Sequence, residues 1–207
     1  MRIMSESSRF SALILGSSHV KRLNRFRAGD KTRRHFGFAR PDLNTVISRG
    51  VGGLKLSDFM AEFDHVIGGI RPDHVFVKIG GNDLCSESVN PTKFVQELLA
   101  MCRYIKQAYG VKLVFVGSLP YRNVSVCAQR WPIRVDYNSV VDAVNLSVKR
   151  WCAANPESNV RFWEHRYLSN ASWRHYLLDD GVHFNACGSI RYYRSIRGAL
   201  IQTVRSM

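Results

Sequence analysis

A serine that opens a helix, an amide that follows a buried strand and an aspartate three residues before a histidine can share one reaction. This 207-residue chain carries all of them, far apart. Ser18 closes Gly16-Ser17-Ser18, Asn82 lies in Gly80-Gly81-Asn82-Asp83, and Asp180 and His183 bound Asp180-Gly181-Val182-His183. A serine hydroxyl attacks poorly until a base removes its proton, and the neutral imidazole of His183 suits that task. Asp180, on the same turn of chain, can hold the other ring nitrogen and stabilise the imidazolium. An attacked ester carbonyl becomes an oxyanion that needs donors already in place. The expected donors are the Ser18 N–H, the Gly53 N–H and the Asn82 side-chain amide. A glycine at 53 lets the backbone approach substrate without a Cβ, and an amide donates without adding charge. Gly50 and Gly52 are the alternative occupants of the glycine's place. The chemistry of the set is acyl transfer.

These residues need elements that bring them together, and the apolar pattern predicts such elements. Ser11 to Leu15 reads as a strand that enters the Ser18 turn and then a helix carrying Val20, Leu23 and Phe26. Thr45 to Ser48 is a second strand. It is followed by the glycine cluster and a helix with Leu56, Phe59, Met60, Phe63, Val66 and Ile67, which Gly68-Gly69 is expected to end. His74 to Ile79 has the near-continuous apolar character of a strand buried on both faces. Asn90 followed by Pro91 marks a helix start, and Phe94, Leu98, Met101, Cys102 and Ile105 form one face up to Gly110. Val111 to Val116 is a fourth strand, and residues 118–135 form a long connection with Tyr121 and Trp131, the latter placed to wall a pocket. A helix through Tyr137, Val140, Val141, Val144, Val148 and Trp151 stops at Asn155-Pro156. A fifth strand lies at Val160 to Trp163, and a last helix runs from about Asn185 to Val204. Strand and helix in alternation predict an α/β fold with an open parallel sheet covered on both faces. In such sheets, chemistry gathers beyond the carboxyl ends of the strands, where the four polar stretches fall.

With those stretches in order, the chain resembles the SGNH hydrolases, also called GDSL-type esterases and lipases. Gly16-Ser17-Ser18, Gly53, Gly80-Gly81-Asn82-Asp83 and Asp180-Gly181-Val182-His183 stand where that family has its Ser, Gly, Asn and His blocks. The resemblance implies a flavodoxin-like three-layer α/β/α sandwich with a five-stranded parallel sheet. It also implies ester hydrolysis, commonly of acetyl, acyl-lipid or carbohydrate esters, through an acyl-enzyme on Ser18 and with no metal or other cofactor. Ser17 departs from the family pattern, which has Asp there, and His19 is an unusual neighbour for the nucleophile. Similar domains occur in proteins encoded by certain retrotransposons, where a basic surface near nucleic acid is useful.

Composition sets the bounds around this reading. Hydrophobic residues make up 45% of the chain, which suits one globular domain over residues 11–207 behind a polar segment, residues 1–10. No apolar run approaches bilayer length and the start carries no signal core, so an intracellular protein, cytoplasmic or nuclear, is expected. Five cysteines without a Cys-x-x-Cys pair argue against a disulfide framework and a zinc site, and His35, His65, His74, His165 and His175 lack ligand spacing. Asp83 and Asp179 are expected to brace turns.

Lys and Arg number 30 against 16 Asp and Glu, a net charge of +14, which points to a polyanionic partner such as nucleic acid or an anionic membrane surface. Lys21, Arg22, Arg25, Arg27, Lys31, Arg33, Arg34 and Arg40 face a single acid, Asp30, and Arg191, Arg194, Arg197 and Arg205 suggest a stripe on the last helix. Lys21 and Arg22, one helical turn past Ser18, are placed to touch an acidic substrate. The rival to an esterase is therefore an SGNH-like domain that binds nucleic acid or anionic lipid.

Overall fold

The computed structural model describes residues 10–38, 44–166, 168 and 173–205. Five strands, β1 (Phe10–Gly16), β2 (Asn44–Gly50), β3 (His74–Lys78), β4 (Leu113–Gly117) and β5 (Val160–Trp163), form one parallel sheet in the order β2-β1-β3-β4-β5. The period of two along each strand sorts its side chains between the faces. Leu13, Leu15, Val75, Val77, Val114 and Val116 pack into one cluster, and Ala12, Ile14, Phe76, Leu113 and Phe115 into the other.

The first face is covered by α2 (Phe59–Ile70), α3 (Pro91–Tyr109) and α5 (Tyr137–Ala154). The second is covered by α1 (Ser18–Ala28) and α6 (Ala186–Arg205). This is the three-layer sandwich that the strand–helix alternation and the resemblance imply. The direction of strand succession reverses between β1 and β3, which opens a crevice at their carboxyl ends.

Local signals explain most boundaries. Asn90 Oδ1 accepts the Thr92 and Lys93 N–H groups, Pro91 takes the first helical position, and Gly110 ends α3 in the left-handed region at φ 68°. Asn185 precedes α6 as its cap, accepting the Gly188 N–H.

The expected stop of α2 at Gly68-Gly69 is wrong. Both glycines lie inside the helix, which ends at Ile70 and is capped by Arg71, itself left-handed at φ 47°. Burial of Phe59, Phe63 and Ile67 outweighs the cost of two helical glycines, about 1 kcal/mol each. At Gly68 an added Cβ would meet the Tyr109 ring at 3.5 Å, an ordinary packing distance. β4 begins two residues later than expected, with Val111 buried in the preceding turn, and the connection after it contains a short helix, α4 (Val124–Cys127). β1 includes Phe10, expected to belong with the polar residues 1–9. These and Arg40 lie outside the described residues. No described helix is long and apolar enough to cross a membrane.

Candidate active site

Gly16 lets β1 run against β3 so closely that a Cβ on it would stand 2.2 Å from the Lys78 carbonyl oxygen. The Ser17 N–H donates to that oxygen at 3.1 Å, and α1 begins at once with Ser18. Ser17, where the resembled family has Asp, is buried and makes no side-chain cap bond to the helix. Its placement by the β3 backbone holds the turn without a carboxylate.

Asp180 organises the loop before α6. Its Oδ1 accepts the N–H groups of Val182 at 2.9 Å and His183 at 2.8 Å, so one carboxylate oxygen folds the turn. Its Oδ2 lies 2.7 Å from His183 Nδ1, and His183 Nε2 lies 3.0 Å from Ser18 Oγ. The network sets the tautomer, with Nδ1–H donating to Asp180 and Nε2 accepting the Ser18 hydroxyl proton. Burial holds the His183 imidazole below its ordinary pKa, with the Arg22 and Arg122 charges adding to the effect and Asp180 opposing it. Burial alone would push the Asp180 carboxyl up, yet its hydrogen bonds from His183 and Val182 hold it below the ordinary range. A neutral histidine beside an ionised aspartate is the pairing a general base needs.

Gly53 and Asn82 reach the same cavity from the ends of β2 and β3. Gly53 adopts φ 77° with nothing within 4 Å of an added Cβ, so its backbone is open to a ligand. Gly50 is committed elsewhere, since a Cβ there would stand 2.2 Å from the Lys21 backbone nitrogen. Gly52 lines the cavity beside Gly53. Asn82 Nδ2 donates to the Leu54 carbonyl at 3.0 Å, and Asp83 Oδ1 accepts the Leu56 N–H at 2.9 Å, which ties the glycine loop to the asparagine turn. Asp83 thus braces a turn, as expected, with its carboxyl pushed up by burial.

The cavity holds about 440 Å³. Ser18, Gly53, Asn82 and His183 line it together, and Trp131, Pro132 and Ile133 from the long connection form a wall. A larger groove, about 660 Å³, runs along Trp163, Arg194 and Gly198 and contains none of those four. Size is therefore a poor guide here, and the smaller cavity has the chemistry. Lys21 lies nearby, its Nζ 4.0 Å from a Cβ added at Gly52, and Arg22 Nη2 stands 3.9 Å from Asp180 Oδ2, but neither lines the cavity. No group of three or more His, Cys, Asp or Glu side chains among the described residues could hold a metal.

Two residues at the site escape sequence reasoning. His19 is buried, its Nε2–H donating to the Val182 carbonyl at 3.2 Å and its ring 4.7 Å from Phe184, so it fastens α1 to the His183 loop. Adjacency to Ser18 was its one visible signal. Arg122 lines the cavity from the loop after β4 and is 8% exposed. In sequence it is one of three arginines in a long connection, with nothing to set it apart.

Comparison with known proteins follows the same lines. A model of the GDSL-like lipase/acylhydrolase family matches residues 16–189. No curated protein sequence matches the chain. Solved structures do. A protein described as a putative platelet activating factor from Streptococcus pneumonia is 20% identical with a TM-score of 0.72, over 95% of this chain and 86% of that one. A GDSL-like lipase from Bacteroides thetaiotaomicron is 16% identical with a TM-score of 0.72, over 98% and 92%. A mutant of an acetyl-xylooligosaccharide esterase from Geobacillus Stearmophilus is 17% identical with a TM-score of 0.61, over 95% and 96%. At these identities the likeness is one of fold.

Proposed function

The chain belongs to the GDSL-like lipase/acylhydrolase family, and from that premise we propose that it is a serine esterase that hydrolyses carboxylic esters, acetyl or other short acyl esters, through an acyl-enzyme on Ser18. The observation that carries the reading is the relay Asp180 Oδ2 to His183 Nδ1 at 2.7 Å and His183 Nε2 to Ser18 Oγ at 3.0 Å, opening on a cavity that Gly53 and Asn82 also line. His183 takes the proton as Ser18 Oγ attacks the ester carbonyl. Asp180 stabilises the imidazolium, and the Ser18 and Gly53 N–H groups and the Asn82 amide meet the oxyanion. His183 then protonates the leaving alcohol, and a water that it deprotonates releases the acid and restores Ser18.

A short acyl group fits the cavity's size, about 440 Å³ behind the wall of Trp131, Pro132 and Ile133. Incubation with an aryl acetate and a fluorophosphonate probe tests the reading. Turnover and labelling that both vanish in Ser18→Ala are expected, and a parent protein that neither turns over nor labels at Ser18 overturns it.

The net charge of +14 motivates a second reading, binding of nucleic acid or anionic lipid. Several of the basic residues are engaged within the fold. Arg27 bonds Ser48 Oγ at 2.5 Å and stacks on Phe36, Arg33 pairs with Asp30 at 3.2 Å, and Arg197 donates to the Phe36 carbonyl at 2.7 Å. These contacts commit three of the basic side chains to the fold itself. Retention on nucleic acid or anionic vesicles that falls steeply with salt would restore the rival, and retention indifferent to salt would remove it.

A further inference from the structure

Arg122 is a mostly buried cation, and among the described residues it forms no ion pair with a carboxylate. Its backbone is clamped to the start of α5, since the Arg122 N–H donates to Asn138 Oδ1 at 2.9 Å and Asn138 Nδ2 donates to the Arg122 carbonyl at 3.0 Å. Its guanidinium carbon lies 5.0 Å from the centre of the Tyr137 ring, a cation–π contact. One terminal nitrogen donates to Cys85 Sγ and the other to Asn82 Oδ1 at 3.2 Å. The planar guanidinium spans both acceptors as a fork, which a flexible ammonium cannot do.

The bond to Asn82 decides which way that amide points. Asn82 Oδ1 faces the guanidinium and Nδ2 faces the Leu54 carbonyl. Rotating the amide by half a turn would oppose donor to donor on one side and acceptor to acceptor on the other. One Nδ2 hydrogen is taken by Leu54, and the second remains for a ligand in the cavity that Asn82 shares with Ser18. A cation donating to the carbonyl side of an amide also polarises its N–H groups and strengthens them as donors.

We propose that Arg122 is a positioning residue for ester hydrolysis, which locks and polarises the Asn82 amide as an oxyanion donor. The proposal rests on the serine-esterase reading. It goes beyond that reading in naming what holds the oxyanion hole together.

The test compares the parent with Arg122→Lys, Arg122→Met, Asn82→Ala and the Arg122→Met/Asn82→Ala double variant on an aryl acetate. Asn82→Ala is expected to lose about 100- to 1,000-fold in kcat. Arg122→Met should lose about 10- to 100-fold in kcat with KM much less changed, because the donor is weakened rather than removed. Compared on the pH plateau above the acid limb, where His183 is neutral in every variant, the double variant should be no slower than Asn82→Ala alone, since Arg122 acts on the oxyanion through that amide. Losses that multiply in the double variant overturn the proposal, as does full activity in Arg122→Lys. Arg122→Lys should also keep the acid limb of the pH profile, while Arg122→Met moves it to higher pH.

Nitrogen-15 NMR of the Asn82 side-chain amide, assigned by its loss in Asn82→Ala, supplies a readout independent of turnover. That resonance should shift and lose protection from exchange in Arg122→Lys, and an unmoved resonance overturns the proposal. A parent without esterase activity would sink the esterase reading alone, and the NMR comparison would still decide whether Arg122 orients the amide.

Discussion

Among the described residues, two serine–histidine side-chain pairs lie at hydrogen-bond distance. At the rim of the sheet His183 Nε2 lies 3.0 Å from Ser18 Oγ, and behind it His165 Nδ1 lies 2.8 Å from Ser195 Oγ. The second distance is the shorter, yet the surroundings differ in every other respect. His183 passes its remaining nitrogen to the Asp180 carboxylate, whereas His165 Nε2 is buried with no partner. Ser195 also accepts Trp163 Nε1–H at 3.0 Å, and the His165 N–H donates to Ser118 Oγ at 2.9 Å. Together these bonds fasten the end of β5 to α6.

Burial, with the buried Lys78 ammonium beside it, holds the His165 imidazole well below its ordinary pKa. Among the described residues no carboxylate acts on His165, and although Ser195 lines the larger groove with Gly198 and Gln202, Gly198 lies inside α6, where its N–H belongs to the helix rather than to a ligand. The comparison teaches that contact between hydroxyl and imidazole is common property of a packed protein. The acid behind the histidine and the donors ahead of the serine separate a reacting pair from a fastening.

The hardest blow to this contrast would come from exchanging the fates of the two serines. Ser18→Ala and His183→Ala are each expected to lower kcat on an aryl ester by about 10⁴-fold or more, while Ser195→Ala stays within about twofold of the parent. A comparable loss in Ser195→Ala would erase the distinction. Asp180→Asn tests the acid alone. It should cost about 10³- to 10⁴-fold in kcat, because the amide cannot stabilise the imidazolium and also disturbs the tautomer.

A gentler probe is the pH profile of kcat/KM. The base must be neutral, so the rate falls as pH drops through the depressed pKa of His183, and the acid limb should lie below the ordinary histidine value of 6.5. Arg22 helps to hold that pKa down, so Arg22→Gln should move the limb to higher pH. A limb that stays fixed would show the two charges to be uncoupled.

The interior histidines should speak only in stability. Burial lowers His74 to about 4, and its two ring nitrogens are buried without partners. Between its unfolded value of 6.5 and about 4 the unfolded chain binds the extra proton. Stability is therefore complete above 6.5 and declines as pH falls through that window, by about 3 kcal/mol for this one group. His19 and His165, also lowered by burial, act in the same direction. Urea denaturation across this range should flatten in His74→Phe relative to the parent, and an unchanged slope would assign the acid sensitivity elsewhere.

Much of this was open to reading before any coordinate. Strand and helix periods, the Asn90-Pro91 start and the Gly110 stop are local, because each depends on side chains within a few residues of one another. Asp180 and His183 belong to the same class, since three residues of chain hold them together. Where reading failed, a long-range term had overruled a local one. Gly68-Gly69 carries a stop signal that the buried face of α2 cancels; of the arginines Arg191, Arg194 and Arg197, which recur at one spacing, the first and last also take contacts that spacing does not show. Arg191 covers the Tyr176 ring and Arg197 reaches the Phe36 carbonyl, and the Arg205 side chain lies outside what is described.

The amino-acid sequence by itself determined the layers, the order of the four blocks and the types of side chain available for acyl transfer, because periodicity and residue chemistry need no knowledge of distant neighbours. Only the tertiary structure decided that Ser18 meets His183 across 165 positions and that Gly53, rather than Gly50, faces the cavity. It also decided that Arg122 comes to rest on Asn82. Those meetings depend on which strands become neighbours and in what register, and that choice is made by packing the whole sheet against its two layers of helices.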